Sequence, residues 1–206
     1  AYWANGYDFS AAEARFNAFP QFRTAIDGLG IHYLHVRSPH SDALPLILTH
    51  GWPGSVVEFQ SVIDALTRPA DPVDAFHVII PSLPGYGFSD KPRSTGCGVT
   101  SVADIWAALM AQLGYDRYGA QGGDWGAIVT TVMGAQAPQG LAGIHTNMTI
   151  SRPTAEDKAD KSPEVLAALE AGANYNNFDS GYSKIQSTRP QTIGYGLVDS
   201  PVGLAG

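Results

Sequence analysis

The sequence predicts an α/β fold: a mostly parallel sheet with helices on both faces, followed by a helical segment. Three observations carry this. Apolar runs of strand length alternate with amphipathic runs of helical length, and such alternation closes as parallel strands joined by helical crossovers. One strand, over 115–120, passes through Gly122-Gly123 and a single acidic residue straight into a helix. After Ile150 the strand-like runs stop and only helical patterns remain.

In chain order, the capping box Ser10-Ala11-Ala12-Glu13 predicts a helix over 11–18, stopped by Pro20. Alternating runs 21–26 and 31–37, joined by Asp27-Gly28-Leu29-Gly30, predict a β-hairpin. His32 and His35 in the second run read as surface or packing residues, and the six histidines show no metal-ligand pattern. Run 44–49 is apolar enough for a buried parallel strand. It ends in His50-Gly51-Trp52-Pro53-Gly54-Ser55, where Ser55 and Glu58 form a second capping box and predict a helix to about Leu66. Strand 76–81 leads into the turn-rich Ser82–Pro92 stretch. Helix 100–113 follows, with Val102, Ile105, Trp106, Leu109 and Leu113 at helical spacing and Gly114 as its stop; Trp106 reads as core. The strand at 115–120, a helix over 125–137 and one more buried-type strand over 141–147 complete the sheet. Beyond it, Ser162 and Pro163 open a helix to about Ala171, and two short helices are predicted over 181–187 and 191–198, punctuated by Pro190 and Pro201.

Composition narrows the function classes. At 206 residues, 44% hydrophobic and 15% charged, the chain suits one soluble globular domain with a real core. A net charge of −7 argues against nucleic acid or an anionic membrane surface as partner. No apolar run approaches the roughly 18–20 residues of a membrane-spanning helix. Cys97 is the one cysteine, so no intrachain disulfide forms. That fits a reducing compartment, the cytoplasm. Flanked by Gly96 and Gly98, Cys97 is a loop residue, not a nucleophile. The sequon Asn147-Met148-Thr149 reads as chance.

The chemistry concentrates at Gly122-Gly123-Asp124-Trp125-Gly126. Gly122-x-Asp124-x-Gly126 has the spacing of a nucleophile elbow, with aspartate in place of serine. Bulky residues at plus and minus two would clash in so sharp a strand-to-helix turn. The following helix N-terminus favours a charged carboxylate, which can open a strained or activated carbon to form an ester. The plain alternative is that Asp124 only caps the helix over 125–137.

Taken together, His50-Gly51-Trp52-Pro53, Gly85-Tyr86-Gly87-Phe88-Ser89 and Gly122-Gly123-Asp124-Trp125-Gly126 resemble the α/β-hydrolase-fold epoxide hydrolases, in the microsomal-type branch with its soluble bacterial and fungal relatives. The flanks agree. Tyr2-Trp3 through Pro20-Gln21-Phe22-Arg23 resembles the end of that family's N-terminal region, while Ser187–Thr192 and Asp199–Leu204 resemble its lid. The resemblance implies three parts: 1–20 as the end of an N-terminal region, 21–150 as the hydrolase core, and 151–206 as an incomplete helical lid. It implies that Asp124 attacks an epoxide carbon to form an alkyl ester, with the backbone N–H groups of Trp52 and Trp125 as the oxyanion hole and a cis peptide before Pro53. It implies that Tyr182 protonates the epoxide oxygen, the competing reading being a packing residue near Tyr175 and Tyr195. His50, in the loop before Trp52, reads as structural. The implied partners are a small-molecule epoxide and water, without metal or organic cofactor, and a homo-oligomer stays open.

One part of the family pattern has no match. The ester must be hydrolysed by water activated by a histidine that an acid orients, and in this family both follow the lid. His145 precedes the lid and does not match. The expectation is therefore a partial chain, with the strand at 141–147 left as a bare sheet edge. Two other functions remain in view: a haloalkane dehalogenase-like hydrolase, with the Trp125 indole holding halide, and a non-catalytic relative or ligand-binding fragment lacking the base.

Overall fold

Side chains alternate in direction along a strand, so the sequence of each strand sorts its residues between two faces. In the computed structural model, which describes residues 2–149, 151–200 and 202–203, this sorting builds a six-stranded sheet with a separate core on each side. The chain divides into two compact units, Ala1–Ile150 and Ser151–Gly206.

The first unit opens with α1 (Tyr2–Asn5) and α2 (Phe9–Asn17). The α2 cap is Asp8, whose Oδ1 accepts the Ala11 N–H at 2.9 Å; it displaces the expected Ser10 cap and starts the helix two residues early. Strands β1 (Gln21–Ile26) and β2 (Leu29–Val36) form the hairpin. Its turn is tighter than the sequence pattern suggests. Asp27 (φ 50°) and Gly28 (φ 80°) alone make it, and Ile26 pairs with Leu29. Both left-handed residues match the two-residue turn that follows strand twist.

β3 (Leu44–Thr49) runs into the His50 loop. The expected helix 56–66 is broken: a 3-10 turn covers Val56–Phe59, and α3 spans only Ile63–Thr67. β-Branched Val56, Val57, Val62 and Ile63 crowd a helix at χ1, which weakens a continuous one here. β4 (Phe76–Pro81), α4 (Val99–Gln112), β5 (Tyr118–Gly122), α5 (Trp125–Gln136) and β6 (Leu141–Thr146) follow. β5 starts later than 115 and keeps Gly122 in the ladder, opposite Thr49 and Thr146. The strand order is β1-β2-β4-β3-β5-β6, antiparallel at β1-β2-β4 and parallel from β4 to β6. β6 is an edge strand with Ile144 exposed.

One face of the sheet packs Ile47, Ile79 and Tyr33 against α4 and α5 through Trp106, Leu109, Met110, Val129 and Met133. The other packs Leu34, Leu48, Val78 and Ile80 with Val56 and Ile63, and Phe16 of α2 lies against it. Neighbours Ile47 and Leu48 thus serve opposite cores, as the pleat requires.

The second unit is helical among its described residues. Thr154 and Asp157 form a reciprocal capping box over α6 (Ala155–Ala159), a helix the sequence reading lacked. α7 (Pro163–Asn174) has Pro163 at its first position, but Ser162 makes no side-chain cap bond. A π-helical turn (Tyr175–Asp179) then leads to α8 (Gly181–Thr188) and α9 (Pro190–Asp199). Pro201 and Leu204, named above as punctuation and lid motif, lie outside the described residues.

Candidate active site

Asp124 sits between β5 and α5 at φ 53°, ψ −124°, outside the regions open to ordinary side-chain-bearing residues. Holding such a residue costs about 1–3 kcal/mol, which the surrounding structure must offset. The two flanking glycines show how. A Cβ on Gly126 would land on the carbonyl oxygen of Thr49 at the end of β3, and one on Gly122 would land on the carbonyl of Gly126. The turn therefore closes on its own backbone and on β3, leaving no room for side chains at either position. Gly123 is tight as well: a Cβ there would come 2.6 Å from Asn147 Oδ1.

The Asp124 side chain makes no cap bond to α5. Its Oδ1 instead accepts the backbone N–H of Trp52, 72 residues earlier, at 2.8 Å. Gly51 lies directly beneath it; a Cβ at 51 would overlap the Asp124 side chain. The Trp52-Pro53 peptide is cis. Of the two amides expected at the site, that of Trp52 reaches the Asp124 carboxylate by this hydrogen bond, and Trp125 follows Asp124 in sequence and opens α5.

His50 fixes the loop that delivers Trp52. It is fully buried; Nδ1–H donates to the Gly51 carbonyl at 2.9 Å, and Nε2 accepts the Leu83 N–H at 3.1 Å. A ring that donates on one nitrogen and accepts on the other is neutral. Burial pushes the His50 pKa below its ordinary value, against the pull of the Gly51 hydrogen bond. Tyr86 stacks edge-on against this ring at 5.4 Å, and its phenol is pushed up, first by burial and then by the Asp124 charge. The Gly85–Ser89 motif is pinned in turn: Ser89 Oγ donates to the Ser82 carbonyl at 2.7 Å and accepts the His32 N–H at 3.0 Å.

Glu58 is the site residue that the sequence reading missed. Its carboxyl occupies the space where Gly54 would carry a Cβ, so that glycine is also required by contact. Burial raises the Glu58 pKa, opposed by backbone hydrogen bonds from Gly51 and Ser55 and seconded by the Asp124 charge. The capping pattern Ser55-x-x-Glu58 was visible; the further reach to Gly51 was not, because it depends on the loop folding back over the 3-10 turn.

Beside Trp125, which is 48% exposed, a cleft of about 230 Å³ is lined by Leu83, Tyr86, Val99, Val102 and Val129. Tyr182 belongs to the second unit, where it stands in the first turn of α8 and its hydroxyl lies 2.9 Å from that of Tyr175. His145 is exposed on β6. Among the described residues no group of three or more His, Cys, Asp or Glu could hold a metal ion, and no helix is long and apolar enough to cross a membrane.

Comparison with known proteins gives the family. Residues 45–171 match the family described as alpha/beta hydrolase fold, and residues 1–59 match that described as Epoxide hydrolase N terminus. A Stigmatella aurantiaca (strain DW4/3-1) protein named "Putative epoxide hydrolase" is 53% identical over 99% of this chain and 47% of its own length. Among solved structures, Aspergillus niger epoxide hydrolase aligns with TM-score 0.81 and 36% identity, over 98% of this chain and 54% of that one. Juvenile hormone epoxide hydrolase from the silkworm Bombyx mori aligns with TM-score 0.76 and 40% identity, over 98% and 48%. The chain spans about half the length of the curated relatives it matches. It belongs to the α/β-hydrolase-fold family.

Proposed function

We propose that this chain carries the ester-forming machinery of an epoxide hydrolase, which adds water to an epoxide to give a vicinal diol. The observation that carries the reading is Asp124. It is an acidic side chain held in a strained elbow by three glycine contacts and turned away from its helix onto the Trp52 amide. A helix cap needs none of this. In the proposed step, an Asp124 oxygen attacks an epoxide carbon, the C–O bond breaks, and Tyr182 gives its hydroxyl proton to the leaving oxygen. Water then cleaves the ester, restoring the carboxylate, and the proton released returns to the Tyr182 phenolate. The Trp52 and Trp125 amides would stabilise the oxyanion formed during that cleavage. The relatives named above as epoxide hydrolases weigh for an epoxide over an alkyl halide. The apolar cleft beside Trp125 would take the substrate's hydrocarbon part. Cys97, exposed and unpaired, suits the cytoplasm.

The test is mass spectrometry after incubation with styrene oxide. Epoxide chemistry requires an adduct of one substrate mass on Asp124, absent from Asp124→Asn. An unmodified Asp124 in folded protein would defeat the proposal, and halide release from a haloalkane with no epoxide adduct would move it to the dehalogenase alternative.

A further inference from the structure

We infer that the first unit holds a second binding site, for an organic anion with a flat apolar body, in the cavity bordered by α2, the β1-β2 hairpin and α3. The cavity measures about 1030 Å³, at the upper end of the roughly 300–1,000 Å³ of small-molecule sites. Its wall carries three guanidinium groups, Arg15 of α2, Arg37 after β2 and Arg68 after α3, against one carboxylate, Asp64. That excess runs against composition, because the chain as a whole is acidic, with a net charge of −7. Among the described residues the one ion pair is Arg23 with Asp90, so none of these three arginines is neutralised by a paired carboxylate.

The apolar part of the wall is aromatic. Phe22, 46% exposed, stacks on Tyr33 with ring centroids 5.6 Å apart and planes 24° from parallel. The two residues face each other across the hairpin, so the register of β1 and β2 itself builds this platform. Phe22 also meets the ring of His35, the buried polar group of the wall, edge-on at 6.1 Å. His35 Nε2 lies 2.8 Å from the Tyr115 hydroxyl, and Nδ1 has no hydrogen-bond partner among the described residues. Arg37, which can only donate, hydrogen-bonds the same Tyr115 oxygen. That leaves the Tyr115 hydrogen for His35 Nε2. The neutral imidazole then carries its own hydrogen on Nδ1, a donor lacking an acceptor. Such a group is costly to leave unpaired, and an oxyanion in the cavity would satisfy it.

These groups together define the ligand. A guanidinium matches the paired oxygens of a carboxylate or phosphate, and it also lies flat on aromatic rings. Arginines around an exposed phenyl ring therefore select a molecule charged at one end and flat along its body, an aryl phosphate or aryl carboxylate. A merely solvated basic patch needs neither the phenyl platform nor the unpaired imidazole donor. The site is separate from the elbow. Leu113 of its wall precedes β5 and Asp124 follows that strand, so the two lie at opposite ends of β5. Anion binding here is independent of the chemistry proposed for Asp124.

The experiment is equilibrium dialysis of the full chain, at low salt, against 1-naphthyl phosphate, 1-naphthoate, inorganic phosphate and 1-naphthalenemethanol. At least one of the two aryl anions should saturate a single site, about tenfold tighter than either inorganic phosphate or the neutral alcohol. Saturation by either supports the site, and the tighter of the two names its headgroup. Arg37→Gln and Arg68→Gln should each weaken that anion about tenfold, the loss of a charge-assisted hydrogen bond. Phe22→Leu keeps the bulk but removes the flat ring, and should weaken it about threefold. Arg93→Gln changes the same charge at a different cavity and should leave binding as it was. Circular dichroism checks that each variant is folded. Equal weakening by Arg93→Gln would mean unspecific attraction and would overturn the site. Aryl anions retained no better than inorganic phosphate, or no better than the alcohol, would overturn it as well.

Discussion

Replacing Gly51 with alanine should cripple the nucleophile without unfolding the protein. The added Cβ would stand 2.5 Å from Asp124 Oδ1 and 2.8 Å from its Cγ, with the Asp124 Cβ nearer still. Ordinary contact begins at 3.4 Å, so the carboxylate must retreat by about 0.6–0.9 Å. That movement stretches the 2.8 Å bond from Trp52 beyond useful length. Misplacing a reacting group by about 1 Å costs on the order of 100-fold in rate. Gly51 does not have a positive φ, so alanine is tolerated by the backbone and the stability cost is only that of local overpacking, about 1–3 kcal/mol. Time-resolved intact-mass measurement of the Asp124 adduct reads the rate, and a denaturant titration checks the fold. Alkylation within about threefold of wild type in a folded variant would refute the idea that the carboxylate is seated against residue 51.

Two further predictions concern stability. The His35 imidazole is 8% exposed, with Nε2 2.8 Å from the Tyr115 hydroxyl; burial first, then Arg37 and His77, lower its pKa to about 4. An unfolded histidine takes up its proton near 6.5, so between pH 6.5 and 4 the unfolded chain binds more protons and stability falls as pH falls. The loss attributable to His35 approaches about 3 kcal/mol over that window. His35→Gln should flatten the curve by that amount in denaturant titrations across the range; parallel curves would contradict the assignment. Trp106 and Thr49 are both fully buried and joined by an Nε1–H···Oγ1 bond of 3.1 Å. Trp106→Phe leaves the hydroxyl without that donor beside a new void, at a cost of about 2–3 kcal/mol. A loss under about 0.5 kcal/mol in the same titration would show that the bond contributes nothing net.

Much of the sheet was legible because burial on both faces leaves a plain record: 44–49 and 76–81 are apolar but for Thr49 and His77, and came out as strands with those bounds. The elbow was legible for a different reason, the fixed spacing of Gly122, Asp124 and Gly126. Termini of elements were less so. Asp8 and Ser10 are both good caps, and only the folded backbone shows which oxygen reaches the Ala11 N–H. Strand β5 starts after Tyr115, whose N–H is committed to the Met110 carbonyl at the end of α4 and whose hydroxyl pairs with His35 of β2. The π turn at Tyr175–Asp179 follows no periodic pattern that a sequence displays. Tyr175 could be read from sequence only as a rival to Tyr182, whereas the fold makes the two a pair.

The three motifs that are far apart in the chain are, in space, one device, and the glycines show it. Gly28 and Gly114 have positive φ and nothing within 4 Å of a would-be Cβ, so they answer to their own turns. Gly51 and Gly126 answer to other segments, while Gly87, at φ 49°, combines a turn conformation with a close contact inside its own loop. Gly51 answers to the Asp124 side chain, Gly126 to the Thr49 carbonyl, and Gly87 to Ser82 Oγ at 2.9 Å. His50 closes the circuit by bonding Leu83, next to that same serine. A side chain at Gly51 or Gly126 would displace a distant segment at the elbow, and one at Gly87 would displace Ser82, whose neighbour Leu83 is bonded to His50. Preorganising a carboxylate requires removing its freedom to retreat, and close backbone approach does this where a longer side-chain contact would yield. The glycine spacing that marks the motif in sequence is thus the trace of a three-segment contact in the fold.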